Sequence, residues 1–107
     1  MTIPNHLEKV KVDLKANVYF DGKVVSHTIW IDANIKKTVG VIYPGTYSFN
    51  TDAPERMDIV AGNCRVKLAG ENAAKDFSAG TFFDVPGKSS FEIAVEKGLC
   101  EYLCSFG

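Results

Sequence analysis

The side chain that first invites chemistry is Glu55. It opens an alternating run, Glu55 to Val60, just after the turn-forming Asp52-Ala53-Pro54, and it shares period-two phase with Met57 and Ile59. Successive side chains of a strand point to opposite faces, so Glu55 points inward if those two do. An inward carboxylate must be hydrogen-bonded, ion-paired or used. Two readings stand side by side. One is a rim carboxylate bonded to turn amides or an arginine; the other is a ligand contact at the mouth of a cavity. Arg56 lies in the opposite phase. It faces solvent or an interface unless a bulge or a neighbouring subunit brings it to a phosphate.

Tyr102 is in phase with Cys100 and Cys104. It reads as a core tyrosine with one satisfied hydroxyl, or as a group that stacks on or hydrogen-bonds a heterocycle. Tyr47 and Phe49 share a phase on the preceding run, Thr46 to Thr51, and either pack a core or line its cavity. Lys88, on the turn Pro86 to Ser89, points to solvent or meets a phosphate. Lys23, just after Asp21-Gly22, is similar.

Several chemistries are excluded or disfavoured. No glycine-rich phosphate loop lies between a strand and a helix, which argues against a nucleotide fold. No CxxC occurs, and the two histidines, His6 and His27, are far apart. A zinc site needs about four nitrogen or sulfur ligands. No metal and no cofactor is expected. Cys64, Cys100 and Cys104 read as small buried apolar groups, reduced in a cytoplasmic compartment, with one Cys pair as the alternative. A formal net charge of -1 offers nothing to attract nucleic acid or an anionic membrane. There is no long apolar run to span a bilayer, and residues 1–13 lack the apolar segment of a signal peptide.

The elements that must position these groups are strands. Residues 1–17 read as an N-terminal arm, with a short helix or ordered stretch around His6–Val10, and 18–107 as one domain. Val18-Tyr19-Phe20 runs into Asp21-Gly22, a hairpin signal. Lys23 to Ile31 carries apolar groups on both faces. Asp32-Ala33-Asn34 turns into Ile35 to Tyr43, and Pro44-Gly45 turns again. Thr46–Thr51 and Glu55–Val60 read as two antiparallel strands. Cys64–Leu68 follows, then a loop or wide hairpin over Ala69–Phe77. Thr81–Val85, Ser90–Val95 and Leu99–Phe106 complete eight to ten short strands with Pro or Gly at many junctions. The pattern predicts an all-β sandwich or barrel. A domain of this size buries one core, so apolar groups on both faces of Val24–Ile31 and Ile35–Tyr43, including Trp30, predict a homodimer.

Four blocks in order, YFDGKVVS, GTYSFNTDAPERMDIVAG, AGTFFDVPGKSSFEI and CEYLCSF, give residues 18–106 a resemblance to the pyrimidine/purine nucleoside phosphorylase family of small single-domain cupins. The resemblance implies a cupin-type β-barrel, or jelly roll. Against the general cupin pattern, Phe49 and Thr51 stand at the two histidine positions of the first motif, and Glu55 and Gly62 at its glutamate and glycine. Gly80 and Pro86 match the second motif, with Phe91 near its histidine. The metal-binding histidines of metallocupins are thus replaced, and one retained carboxylate cannot hold a catalytic metal. The implied substrates are a nucleoside and inorganic phosphate; the implied products are a free base and a pentose 1-phosphate.

Under that resemblance Glu55 grips ribose hydroxyls and favours a cationic transition state. Tyr102 or Tyr47 flanks or hydrogen-bonds the base, and Phe49 and Phe91 line its pocket. Thr51 contacts ribose or phosphate, and Arg56 and Lys88 are the phosphate candidates. The competing expectation is a non-enzymatic small-molecule-binding or structural cupin module.

Overall fold

In the computed structural model, which describes residues 5–107, alternating sequence becomes two antiparallel sheets with their apolar faces turned toward each other. The strands are β1 (Lys11–Val12), β2 (Asn17–Tyr19), β3 (Val24–Asp32), β4 (Ile35–Ile42), β5 (Gly45–Asn50), β6 (Glu55–Ala61), β7 (Asn63–Leu68), β8 (Lys75–Ser78), β9 (Phe82–Val85), β10 (Ser90–Val95) and β11 (Cys100–Phe106). The large sheet runs β1-β3-β4-β11-β6-β9, with β2 also paired to β3; the small sheet runs β5-β10-β7-β8. The all-β expectation holds. The expected helix near His6–Val10 does not form in residues 5–10. The stretch Ala69–Phe77 resolves as a wide hairpin whose return leg is β8.

The central stretch departs from the sequence reading. Thr46–Thr51 and Glu55–Val60 are not partners: β5 pairs with β10 in the small sheet, and β6 pairs with β11 and β9 in the large one. Alternation marks a strand with one buried face, but two such strands can lie side by side or face each other across a core. Residues 51–54 span about 13 Å when extended, enough to cross the ~10 Å between packed sheets. Backbone bonds pin the crossing. Thr51 N–H donates to Ser89 C=O (2.9 Å), Lys88 N–H to Asp52 C=O (3.0 Å) and Gly107 N–H to Pro54 C=O (2.9 Å).

The core draws on both sheets: Ile42, Met57, Ile59, Phe83 and Tyr102 from the large sheet pack with Tyr47, Val66, Phe91 and Ile93 from the small. The β2–β3 hairpin forms where Asp21-Gly22 predicts it, with Phe20 and Asp21 both in the left-handed region (φ 52° and 57°). For a bulky residue such as Phe20 that conformation is strained. It is held by the Phe20 ring against Tyr47 and Phe49, at centroid distances of 5.0 and 5.5 Å. Trp30 is tied to the N-terminal segment, its indole N–H donating to the Asp13 carboxylate at 3.2 Å.

Gly62 makes the turn between β6 and β7 at φ +80°, and a Cβ there would run into the Leu99 carbonyl and sit 3.1 Å from Cys100 Cα. Strain and overpacking act together in Gly62→Ala, which is expected to lose about 1–3 kcal/mol of unfolding free energy in urea titration. A loss below about 0.5 kcal/mol would show that the turn relaxes freely.

Candidate active site

Three neighbouring strands of the large sheet, β4, β11 and β6, build the site, and their register decides who meets whom. Across them Thr38 stands opposite Cys104, which stands opposite Met57; Gly40 stands opposite Tyr102, which stands opposite Ile59; and Phe106 stands opposite Glu55. Of these, Thr38, Cys104, Met57, Tyr102, Phe106 and Glu55 border a cavity of about 200 Å³. Phe49, Asn50, Phe91 and Ile93 come from the small sheet, and Tyr19, Val24 and Ser26 from the β2–β3 hairpin. No buried polar side-chain atom among the described residues lacks a hydrogen-bond partner.

Glu55 is half-buried on the cavity wall. Burial raises its carboxyl above the ordinary glutamate range, and a hydrogen bond from the Cys104 thiol (Sγ to Oε1, 3.6 Å) offsets part of that rise. Cys104 is buried, and both burial and the neighbouring Glu55 charge push its thiol up, so it stays protonated as a donor. The Thr38 side chain bonds the same sulfur and completes a chain Thr38–Cys104–Glu55. Tyr102 is buried and lifted well above its ordinary value by desolvation, so its phenol is neutral; the Ser26 side chain hydrogen-bonds it. Gly40 makes room for that phenol: a Cβ there would lie 2.7 Å from Tyr102 Oη and 2.7 Å from Val25 O.

The structure brings together Glu55, Tyr102, Phe49 and Phe91 on one cavity. Phe49 and Phe91 are direct cross-strand partners, their rings stacked at 5.6 Å and 25°. The other four expected residues are not brought there. Tyr47 is buried between the sheets, but its hydroxyl is turned to the β4–β5 crossing, donating to Tyr43 C=O (2.8 Å) and Pro44 C=O (3.0 Å). Thr51 spends its hydroxyl on the β9–β10 turn, donating to Pro86 C=O (2.6 Å) and accepting from Ser89 N–H (3.0 Å). Arg56 lies on the outer face, paired with Asp58 at 3.3 Å and stacked 3.8 Å from the Phe82 ring centroid. Lys88 is exposed on its turn at φ 50°.

Residues the sequence reading missed are Cys104 as a polar partner, and Thr38, Ser26, Asn50, Tyr19 and Phe106 as cavity walls. A signal existed for two of them. Ser26 alternates with Val24, and Thr38 with Ile42, so each is a polar residue in a buried phase. Among the described residues no three His, Cys, Asp or Glu side chains gather to hold a metal ion.

Fold and cavity together define a class, a small cupin-like protein. Its structure superposes on the cupin domain of Schizosaccharomyces pombe Cnp3 with a TM-score of 0.64 over 88% of this chain and 69% of that one, at 11% identity, which speaks to fold alone. It superposes on a protein of unknown function from Acinetobacter sp. ADP1 with a TM-score of 0.91 and 41% identity, covering 95% of this chain and 98% of that one. The family model for pyrimidine/purine nucleoside phosphorylase matches residues 14–106. A pyrimidine/purine nucleoside phosphorylase from Thiobacillus denitrificans is 55% identical over 103 residues, 96% of this chain and 99% of that one. The chain belongs to the pyrimidine/purine nucleoside phosphorylase family.

Because the folded Glu55 holds its proton to higher pH than the unfolded chain does, it favours folding below the ordinary glutamate value. That contribution is lost as pH rises through its raised value. Glu55→Gln removes the dependence. Urea titrations of both proteins across the acid range should show the variant gaining on the wild type as pH rises from about 4 toward neutrality. A constant difference would mean that Glu55 is not desolvated.

Proposed function

We propose that this chain phosphorolyses purine and pyrimidine nucleosides, releasing a free base and a pentose 1-phosphate. The observation that carries the reading is a half-buried carboxylate, Glu55, on the same cavity wall as a neutral Tyr102 phenol, one strand away, in a member of this family. A phosphate oxygen forms a bond to C1′ as the C1′–N bond breaks. The electron pair passes to the base nitrogen, which takes up a proton. Positive charge gathers on the sugar and negative charge on the base. Glu55 accepts from ribose hydroxyls and stabilises the positive sugar. Tyr102 donates to the base or its flanking hydroxyl, and Phe49 and Phe91 supply a stacking wall. Stacking without a dedicated hydrogen-bond set tolerates purines and pyrimidines alike. Tyr47 backs the Phe49 ring through Phe20, and Thr51 fixes the β9–β10 turn.

The same proposal has the sheets working as a closed cupin barrel in a cytoplasmic homodimer. The outer face of the large sheet supports pairing, since Val39, Val60 and Ile31 are exposed beside Val25 and Val41. All three cysteines are free and buried, which fits a reducing compartment. No helix among the described residues is long and apolar enough to cross a membrane.

Incubation with uridine or adenosine is expected to release free base only when inorganic phosphate is present. Release without phosphate would mark a hydrolase, and no release from any nucleoside would mark a binding or scaffold protein. Glu55→Gln is expected to stay folded and lose about 100- to 1,000-fold in kcat. Sedimentation at micromolar concentration should give a two-chain mass that Val39→Asp converts to one; a wild-type monomer would remove the dimer.

A further inference from the structure

Phosphate needs a cation, and the cavity wall offers the opposite: a carboxylate at Glu55 and no lysine or arginine among its lining residues. The cations expected from sequence lie elsewhere, Arg56 engaged on the outer face and Lys88 exposed on a turn. A different lysine is in the right phase. Along β4 Lys36 shares its phase with Thr38, Gly40 and Ile42; Thr38 and Ile42 line the cavity, and Lys36 stands exposed at the end of that row. Register then sets its height. Lys37 stands opposite Ser105, and Phe106 opposite Glu55, so Lys36, Phe106 and Glu55 form one rank across β4, β11 and β6. The Lys36 Nζ stands 5.0 Å from the centroid of the Phe106 ring, which itself lines the cavity. The ring face thus holds the ammonium at the rim.

We propose that Lys36 binds the attacking phosphate at the cavity rim, one strand beyond Phe106 from Glu55. The assignment rests on the phosphorolysis reading for its purpose, and on register and ring contact for its place. Adjacent strands are about 4.8 Å apart, which sets the Glu55 and Lys36 backbones about 10 Å from each other. A pentose held at Glu55 and a phosphate at Lys36 fill that gap with the phosphate oxygen directed at C1′. Opposite charges at the two ends sort the two reactants, since the carboxylate repels phosphate and the ammonium attracts it. An ammonium is a compact charge with three donors, suited to a phosphate whose oxygens change role during attack. No proton need leave Lys36 in the step.

Two readouts test this. Isothermal titration of inorganic phosphate alone into wild type, Lys36→Ala and Lys36→Arg reads the subsite without turnover. Steady-state rates with phosphate varied at saturating uridine, and uridine varied at saturating phosphate, read it in catalysis. Lys36→Ala is expected to weaken phosphate binding and raise the phosphate KM at least about tenfold, with the uridine KM within about twofold, and Lys36→Arg to restore most of the loss. Phosphate binding that is equal in wild type and Lys36→Ala, or too weak to detect in both, would overturn the assignment, as would parallel rises in both KM values. Lys36-dependent phosphate binding with no base release would keep the subsite and reject phosphorolysis. Phosphate-dependent base release that Lys36→Ala leaves unchanged would do the reverse.

Discussion

Taking a carboxylate out of water costs free energy unless hydrogen bonds replace the lost hydration, and at Glu55 the side-chain replacement is a thiol. A thiol is a weak donor, so the carboxylate is supported without being neutralised by a fixed cation. Such a group stays responsive to what enters the cavity. The support depends on one alignment. If β11 slipped by a residue against β6, Cys104, Tyr102 and Phe106 would all turn outward, and the cavity would lose its polar partner and two aromatic walls together. The alignment is anchored by a register shift between Glu101 and Tyr102, where Glu101 pairs with Ala61 and Tyr102 with Ile59, leaving Val60 as the extra residue on β6. On the other side of β11, Gly40 admits the Tyr102 phenol, and Ser26 satisfies it.

The two faces of the large sheet have separate tasks. Inside, the polar groups are few, and several are tied to one another: Thr38 to Cys104, Cys104 to Glu55, Ser26 to Tyr102. Outside, Arg56 pairs with Asp58, and Val39 and Val60 are exposed. A strand serves both tasks at once because its side chains alternate, so adjacent residues such as Glu55 and Arg56 have unrelated surroundings. Phe49 and Phe91, cross-strand partners on the cavity wall, stack with centroids 5.6 Å apart and planes 25° from parallel. The resulting wall is apolar on that side of the cavity.

The local signals in the sequence were strong where the physics is local. Asp21-Gly22 made its hairpin, Ser90–Val95 made β10 residue for residue, and the shared phase of Glu55, Met57 and Ile59 put the carboxylate on the buried side. The in-phase trio Cys100, Tyr102 and Cys104 is buried as its spacing implied. These outcomes need only the two-residue period of a strand and the preference of glycine for positive φ. The resemblance of four blocks to the phosphorylase family carried the rest of the functional reading, and the family match over residues 14–106 supports it.

What only the tertiary structure decided is partnership. Period two says which face a side chain takes but not which strand lies beside it, so β5 and β6 read as a hairpin although they lie in opposite sheets. For the same reason phase alone sets Tyr47 and Thr51 beside a cavity although their hydroxyls close turns, and only the pairing of β4 with β11 brings Lys36 to Phe106. Side-chain type and phase are properties of one strand. Pairing is a property of the whole chain, chosen where the most apolar surface is buried and every backbone group is bonded, and that optimum involves residues far apart in sequence.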